Sequence, residues 1–476
     1  MLSRRDLLKR SVRLSTLAAL GGTLGCSSDA PPEVPGSRTE PAADATTPAP
    51  GVLLNDRQSQ LNPTRVRGVA RVLNTEDVQR QVRKASRDSV AISVSGGRHA
   101  MGGQQFGKDT LHLDTTAFNS VLAFDREQGL IRVQAGIQWP ELIEYLHREQ
   151  TDQAKSWTIR QKQTGVDRVS LAGTLSANAH GRGLQFPPIA GDVESILVVD
   201  ASGESHECSR TENTELFSLA VGGYGLFGVI AEVTLRLVPR VKVERTVEVI
   251  EVRDLLTRVE QRIGDGYKFG DCQYSTDFSD LDQPHQGVFS CYRPVGAETP
   301  LPESTRQLSA EDWTQLIYLG HTDRQRAFET YATHYLATDG QVYWSDTHQM
   351  SNNFDDYHKV LDRQLKNNHP GSEMITEVYV RRDQLDSFLK AARRSVNEHG
   401  IDLIYGTIRF VERDDVAFLA WAKEQSVCVL CNLHVDHSPQ GIEKAASDAR
   451  RLIQIAIDHG GRYFPTYHRW ATREQV

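Results

Sequence analysis

Residues 217–239 read FSLAVGGYGLFGVIAEVTLRLVP. Gly222, Gly223, Gly225 and Gly228 allow a tight turn that residues bearing a Cβ resist. The run that follows alternates apolar with polar or small side chains, the two-residue period of a half-buried strand. Two earlier segments have the same character. VSGGRHAMGGQQ, at 94–105, follows the β-branched run VAISV and sets His99 between two pairs of glycines; SLAGTLSANAHGRG, at 170–183, is built almost wholly from small residues. Clustered glycines let backbone N–H groups converge into a concavity suited to a phosphate or pyrophosphate. Small residues let a flat ligand approach the backbone.

With 476 residues the chain is long enough for two or three domains. From 64 to 239, short β-branched runs such as LIRVQAG and SILVVDASGE alternate with helical signals. Thr75 is expected to cap a helix over 75–86, WPELIEYLHRE opens with proline in its first turn, and DASGE at 200–204 reads as a hairpin turn. Short strands broken by helices predict an α+β fold, not a regular doubly wound sheet. A second region, from about 241, should contain a helix over 382–399 and strands at MITEVYV, LIYGTIRFV and VCVLCNLHV. An amphipathic helix over 439–459 follows, and a capping box at 472–475 starts one more.

The N-terminus reads as transport. SRRDLLKR at 3–10, with the short apolar run at 14–24, resembles a twin-arginine signal peptide within residues 1–30. Cys26, in TLGC, stands where a bacterial lipoprotein carries its lipid, and 31–55 reads as a flexible linker. These features predict export, to the periplasm or to a membrane reached only through lipid on Cys26. A net charge of −8 leaves no basic face for nucleic acid. Cys428 and Cys431 lie three apart in an alternating run and should be buried thiols on opposite faces. With neither HExxH nor a spaced Cys and His cluster, no metal site is expected.

In their order along 64–239, the three glycine and small-residue segments resemble the FAD-linked oxidoreductases of the vanillyl-alcohol oxidase and p-cresol methylhydroxylase family. That family has a glycine-rich loop holding a histidine, then a small-residue segment, then GGxGxFGII leading into VTLRLxP. Nearest in pattern are sugar-alcohol and aldonolactone oxidases and cytokinin dehydrogenases. The resemblance implies a two-part FAD-binding domain over 56–240, a substrate (cap) domain over 241–438 with an antiparallel sheet flanked by helices, and a segment over 439–476 that returns to the first domain. It implies FAD, with Ser95, Gly96, Gly97, Arg98, His99 and Ala100 around the pyrophosphate and Gln104 beside that loop. Ser170, Gly173, Thr174 and Ser176 would line the isoalloxazine and its chain, and Ile230 would bond the flavin through its backbone. In many members the loop histidine is joined to the flavin 8α-methyl carbon, and His99 holds that position. The family has glycine before this histidine and serine after it; here Arg98 and Ala100 stand there. The cysteine of doubly attached members has no counterpart in RQKQTGVDRVSL, which implies a single bond.

For the substrate, period-two alternation puts Tyr405, Thr407 and Arg409 on one face of their strand, Asn432 and His434 with Cys428 on another, and Glu377, Tyr379 and Arg381 on a third. Such faces either meet solvent or orient a hydroxylated substrate and stabilise a developing alkoxide. The TIRF strand resembles one that carries an arginine in sugar-alcohol oxidases, which makes Arg409 the candidate for polarising oxygen, with Tyr405 and Asn432 beside it. TYHRW resembles the family's return segment at the flavin edge, so His434 or His468 would be the base. The activity implied is oxidation of a CH–OH group of a sugar, polyol or lactone by hydride transfer to flavin N5, with oxygen or a respiratory carrier as electron acceptor. The alternatives are a cofactor-free, surface-tethered binding lipoprotein on the same fold and an oxidase of an amine-type substrate.

Overall fold

Among the described residues the first strand lies inside the stretch expected as linker: β1 (Val52–Leu54) pairs antiparallel with β2 (Thr64–Val66). The computed structural model describes residues 51–151, 155–351 and 357–476. The transport signal, Cys26 and the linker up to residue 50 lie outside the described residues.

Two small sheets carry the glycine segments. In the first, β3 (Gly68–Arg71), β4 (Ile92–Ser95) and β5 (Leu111–Asp114) are parallel in the order β3-β5-β4. Helix α1 (Thr75–Arg87) connects β3 to β4 and buries Val78, Val82 and Ala85. Its cap is Asn74 and not Thr75: Asn74 is extended and its side chain accepts from the Asp77 N–H, whereas Thr75 is already helical. The second sheet is antiparallel. It comprises β6 (Val121–Asp125), β7 (Leu130–Gln134), β9 (Val193–Val199), β10 (Ser205–Ser209) and β11 (Val229–Arg236), in the order β10-β9-β11-β7-β6. A separate pair joins β8 (Trp157–Thr158) to β12 (Val238–Pro239). Helix α2 (Trp139–Glu149) has Pro140 in its first turn and buries Trp139, Leu142, Ile143 and Leu146. The β9–β10 hairpin turns at 200–204, where the Asp200 carboxylate accepts from the N–H groups of Ser202 and Glu204. Helices α3 (Leu171–Ser176) and α4 (Thr214–Ala220) complete this part.

The rest is organised on one eight-stranded sheet, with every pairing antiparallel. Its strands are β13 (Lys242–Glu251), β14 (Phe269–Tyr274), β15 (Gln286–Val295), β16 (Val342–Trp344), β17 (Gly371–Arg381), β18 (Leu403–Val411), β19 (Ser426–Asp436) and β20 (Arg462–Tyr463). They lie in the order β16-β13-β15-β14-β18-β19-β17-β20. Six helices accompany them: α5 (Leu255–Gly264), α6 (Ala310–Thr322), α7 (Arg324–Leu336), α8 (Tyr357–Leu365), α9 (Leu385–His399) and α10 (Pro439–Asp458). Helices α5, α9 and α10 cover the back face, where Val378, Ile408, Phe410, Val429 and Leu433 pack against Leu255, Phe388, Leu452 and Ile453. The fold is thus α+β, with an antiparallel sheet flanked by helices. Cys431 lies in the back core and Cys428 on the front against Tyr379 and Trp421, both as buried free thiols.

Burial on the front face excludes the solvent-facing reading of the alternating strands for all the residues named except Arg381, which is exposed at the end of β17. Arg409 is 8% exposed, Asn432 3% and Glu377 1%. A polar set this deep needs partners, because an unpaired buried polar group is costly. Among the described residues no helix is long and apolar enough to cross a membrane.

Candidate active site

The loop after β4 forms the floor of the site. Ser95 is buried, its hydroxyl 2.8 Å from His112 Nε2, and burial drives the His112 pKa down to about 4. The Ser95 side chain is therefore structural, and only its backbone is available to a ligand. A Cβ at Gly96 would stand 2.2 Å from Ser170 Oγ, and one at Gly97 2.3 Å from the Arg168 carbonyl. Only glycine allows the 94–105 loop and the start of the 170–183 segment to lie in such close contact. Arg98 adopts a left-handed backbone (φ 59°), which turns the chain toward His99. Within the described residues the N–H groups of Gly96, Gly97 and Arg98 make no hydrogen bond.

A strap from 55 to 62 holds this loop. The buried Asp56 carboxylate accepts from the Ser59 N–H (2.6 Å), the Ser59 hydroxyl (2.9 Å) and Asn62 Nδ2 (2.9 Å). The Ser59 hydroxyl and Asn62 Nδ2 also donate to the Met101 carbonyl, and Arg57 N–H donates to the Arg98 carbonyl. Gln58 Nε2 lies 3.1 Å from His99 Nδ1. The Ala100 carbonyl is taken by Gln105, and the Gln104 amide donates to the Pro465 carbonyl.

The second and third segments close on the first. Ser170 caps α3 and accepts from Gly173 N–H; Thr174 is buried with its hydroxyl on the Ser170 carbonyl; the Ser176 carbonyl accepts from Tyr224 N–H. Ile230 is buried in β11 beside a bulge, which breaks the regular pairing of its backbone.

Over this floor stands the front face of the large sheet, whose register sorts its side chains into rungs. The first is Tyr379–Cys428–Arg409, the second Glu377–Leu430–Thr407, the third Ile375–Asn432–Tyr405, and the fourth begins Glu373–His434. Successive rungs lie about 6.8 Å apart, two residues of antiparallel strand. Arg409 and His434 are thus separated by roughly 20 Å along the strands. This corrects the expectation that His434 serves as base to a substrate held by Arg409, because alternation fixes a residue's face but not its distance along the strand. His468 is corrected too. It lies on the back face, 3.1 Å from Thr376 Oγ1 and stacked on Trp470, with burial lowering its pKa to about 4. Its neighbour Tyr467 takes the front, beside Glu377, Arg409 and Cys428, and burial pushes that phenol well up.

Sequence reasoning missed His180 and Glu377 as a pair. His180 Nε2 lies 2.9 Å from Glu377 Oε1, and His180 Nδ1 lies 3.1 Å from the Gly181 carbonyl. Both ring nitrogens thus lie within hydrogen-bond distance of an oxygen. Burial raises the Glu377 pKa, but the His180 hydrogen bond and charge, Arg409 and the Tyr379 hydroxyl outweigh it and bring it to about 2. Trp421 stacks on Tyr379 (4.3 Å) and donates to the Asn178 carbonyl, so residues 178–180 reach the sheet from the small-residue segment. Between these groups are buried polar atoms without a hydrogen bond: Arg409 Nε, Glu377 Oε2 and Asn432 Oδ1. Burial pushes the Tyr405 phenol up to about 12, so it stays a neutral donor.

The C-terminal return ties floor to roof. Phe464 N–H donates to the Glu377 carbonyl, Gly102 N–H donates to the Thr466 carbonyl, and the Tyr224 and Thr466 hydroxyls lie 2.9 Å apart.

The floor fits a dinucleotide. Its glycine loop has free N–H donors and no room for side chains, and the polar roof leaves oriented atoms for a small molecule. Residues 66–209 match the family model described as FAD binding domain. The chain is 33% identical over 162 residues to an uncharacterized oxidoreductase of the fasciation locus of Rhodococcoides fascians, covering 34% of this chain and 35% of that one. It is 30% identical over 167 residues to the mitochondrial L-galactono-1,4-lactone dehydrogenase of Arabidopsis thaliana (35% and 26%), and 26% identical over 214 residues to bovine L-gulonolactone oxidase (44% and 47%). The chain thus spans less than half the length of each of these relatives. The glycine loop, the small-residue segment and the sheets that carry them therefore form an FAD-binding domain of the p-cresol methylhydroxylase type.

Proposed function

We propose that this protein is an FAD-linked oxidase or dehydrogenase that oxidises a CH–OH group of a sugar, polyol or lactone. The observation that carries this reading is the set of buried atoms without a hydrogen bond, Arg409 Nε, Glu377 Oε2 and Asn432 Oδ1, on the sheet face that His180 joins to the small-residue segment. FAD, when bound, supplies acceptance of the substrate's hydride at N5. Gly96, Gly97 and Arg98 would hold its pyrophosphate through backbone N–H groups, and His99 would be the residue joined to the flavin. Arg409 would polarise the substrate oxygen, and Glu377 Oε2 would orient the substrate hydroxyl by accepting its hydrogen bond while His180 keeps the carboxylate in place. Tyr379, Trp421, Phe464 and Tyr467 wall the site against water. The names of the relatives, which include a lactone dehydrogenase and a lactone oxidase, support the substrate class. The paired arginines and Cys26 support twin-arginine export and a periplasmic or lipid-tethered location, with oxygen or a respiratory carrier as acceptor.

The purified chain should be yellow, keep its flavin after acid precipitation, and reduce an artificial acceptor in the presence of one or more polyols, aldoses or aldonolactones. His99→Ala should release the flavin on acid treatment while still binding dissociable FAD. Colourless protein that takes up no FAD would instead favour a cofactor-free binding lipoprotein. Turnover confined to amines would move the substrate class.

A further inference from the structure

The fourth rung of the sheet has a chemistry of its own. Glu373 is buried at 4% exposure, and its carboxylate is held well below the usual range: burial opposes ionisation, but His321, His434, His358 and Tyr357 outweigh it. His321 Nε2 lies 3.7 Å and His434 Nδ1 3.5 Å from Glu373 Oε1. All three ligand atoms fall within 4.8 Å of one another. The other carboxylate oxygen, Oε2, lies 3.1 Å from His358 Nδ1 and accepts from the Tyr357 hydroxyl. His321 Nε2, His434 Nδ1, His358 Nδ1 and Glu373 Oε1 are all buried, and none makes a hydrogen bond. Two imidazoles thus converge on one carboxylate oxygen at ion-pair distance but without hydrogen-bond geometry.

We propose that His321, Glu373 and His434 bind one divalent transition-metal ion of the Zn²⁺ class. Ligand atoms about 2.0–2.1 Å from a tetrahedral ion lie about 3.4 Å apart, close to the two separations found here. Two histidines with one carboxylate leave a fourth position open, the arrangement of a metal that binds water or an oxygen of a small molecule. His321 turns its other nitrogen toward Asp402 Oδ2, 3.9 Å away, a carboxylate placed to orient the ring. The ion would fasten α6, which carries His321, to β17 and β19. His434 also borders a cleft of about 350 Å³ lined by Arg324, Asp402, Asp436, Lys444 and Asp448, a route for entry. The second His, Glu and Cys cluster, His180–Glu377–Cys428, is excluded because its histidine is already hydrogen-bonded to its glutamate. No sequence motif signals the site, because its ligands come from three separate elements. The proposal is independent of the flavin reading, since Glu373 lies two rungs from Glu377.

The full chain, stripped with chelator and dialysed against Zn²⁺, should hold one ion per chain by mass-spectrometric metal analysis. His434→Ala and Glu373→Gln, checked for native circular dichroism, should lose binding by more than about 100-fold. Co²⁺ loaded into the unaltered chain should give ligand-field bands without a thiolate charge-transfer band, a readout that does not depend on any variant folding. Uptake of less than a tenth of an equivalent would overturn the proposal, leaving a cluster of imidazolium and carboxylate alone. A thiolate band would overturn it by placing the ion at a cysteine, and full binding in both variants would place it elsewhere.

Discussion

Arg409 and His468 make opposite demands on an experiment. Arg409 is buried with Nε making no hydrogen bond, so Arg409→Ala should lower kcat/KM by about 10²–10³, as loss of a positioned donor to a developing oxyanion does, while flavin content stays intact. His468 should matter to stability and not to turnover. Its pKa is lowered from 6.5 to about 4 in the folded chain, so the unfolded chain binds the extra proton first as pH falls. The contribution of this neutral, buried ring is complete above about pH 6.5 and is lost as pH falls toward 4. His468→Gln should flatten that part of the melting temperature's pH profile and leave kcat near its original value; a large fall in kcat would return His468 to the reaction. At this scale the sequence showed which faces are polar, and Arg409, Tyr405 and Asn432 share the buried front, with Arg409 two rungs from the other two. It did not show position along the strand, which separates His434 from Arg409, or the side taken by each of two adjacent residues, which gives the front to Tyr467. His180 stands within a segment singled out for its small residues, yet its partner Glu377 lies 197 residues away.

Among the elements, β1 and the strap over 55–62 that follows it are the ones whose composition hides them. A three-residue strand such as β1 has too little apolar surface to announce itself, and it exists because β2 supplies its hydrogen bonds. The strap depends on Asp56, which is fully buried and gathers donors from Ser59, Gln60 and Asn62. Asp56→Ala should destabilise the protein by about 3 kcal/mol, because these buried donors lose their charged acceptor. It should also speed flavin loss from a His99→Ala background, measured by fluorescence of released flavin; unchanged release would detach the strap from cofactor retention. The longer elements were legible. The β9–β10 turn, α2 with its early proline, α10 and the three strands β17, β18 and β19 all appear close to where periodicity and punctuation place them. Strands β13, β14 and β15 were not singled out, because the strength of a strand in a sheet of this size resides in its neighbours.

Across the whole molecule, the parts are joined by residues 462–467, which pair with β17 as β20 and then bond to the glycine loop and Tyr224. A chain ending at Asp458 should keep most of its helix content, bind FAD weakly and unfold in two transitions followed by circular dichroism. A single transition at the original temperature would show that the return segment is dispensable. The resemblance in 64–239 made the floor legible, but the joining of floor to roof rests on contacts that no local pattern encodes. That same joint has a consequence for biosynthesis. Gln104 and Pro465, bonded in the finished site, are 361 residues apart in the chain. At roughly 5–20 residues per second, the ribosome makes the loop about 20–70 s before its last partner. The complete site therefore forms only once Pro465 has been made, long after the glycine loop has left the ribosome.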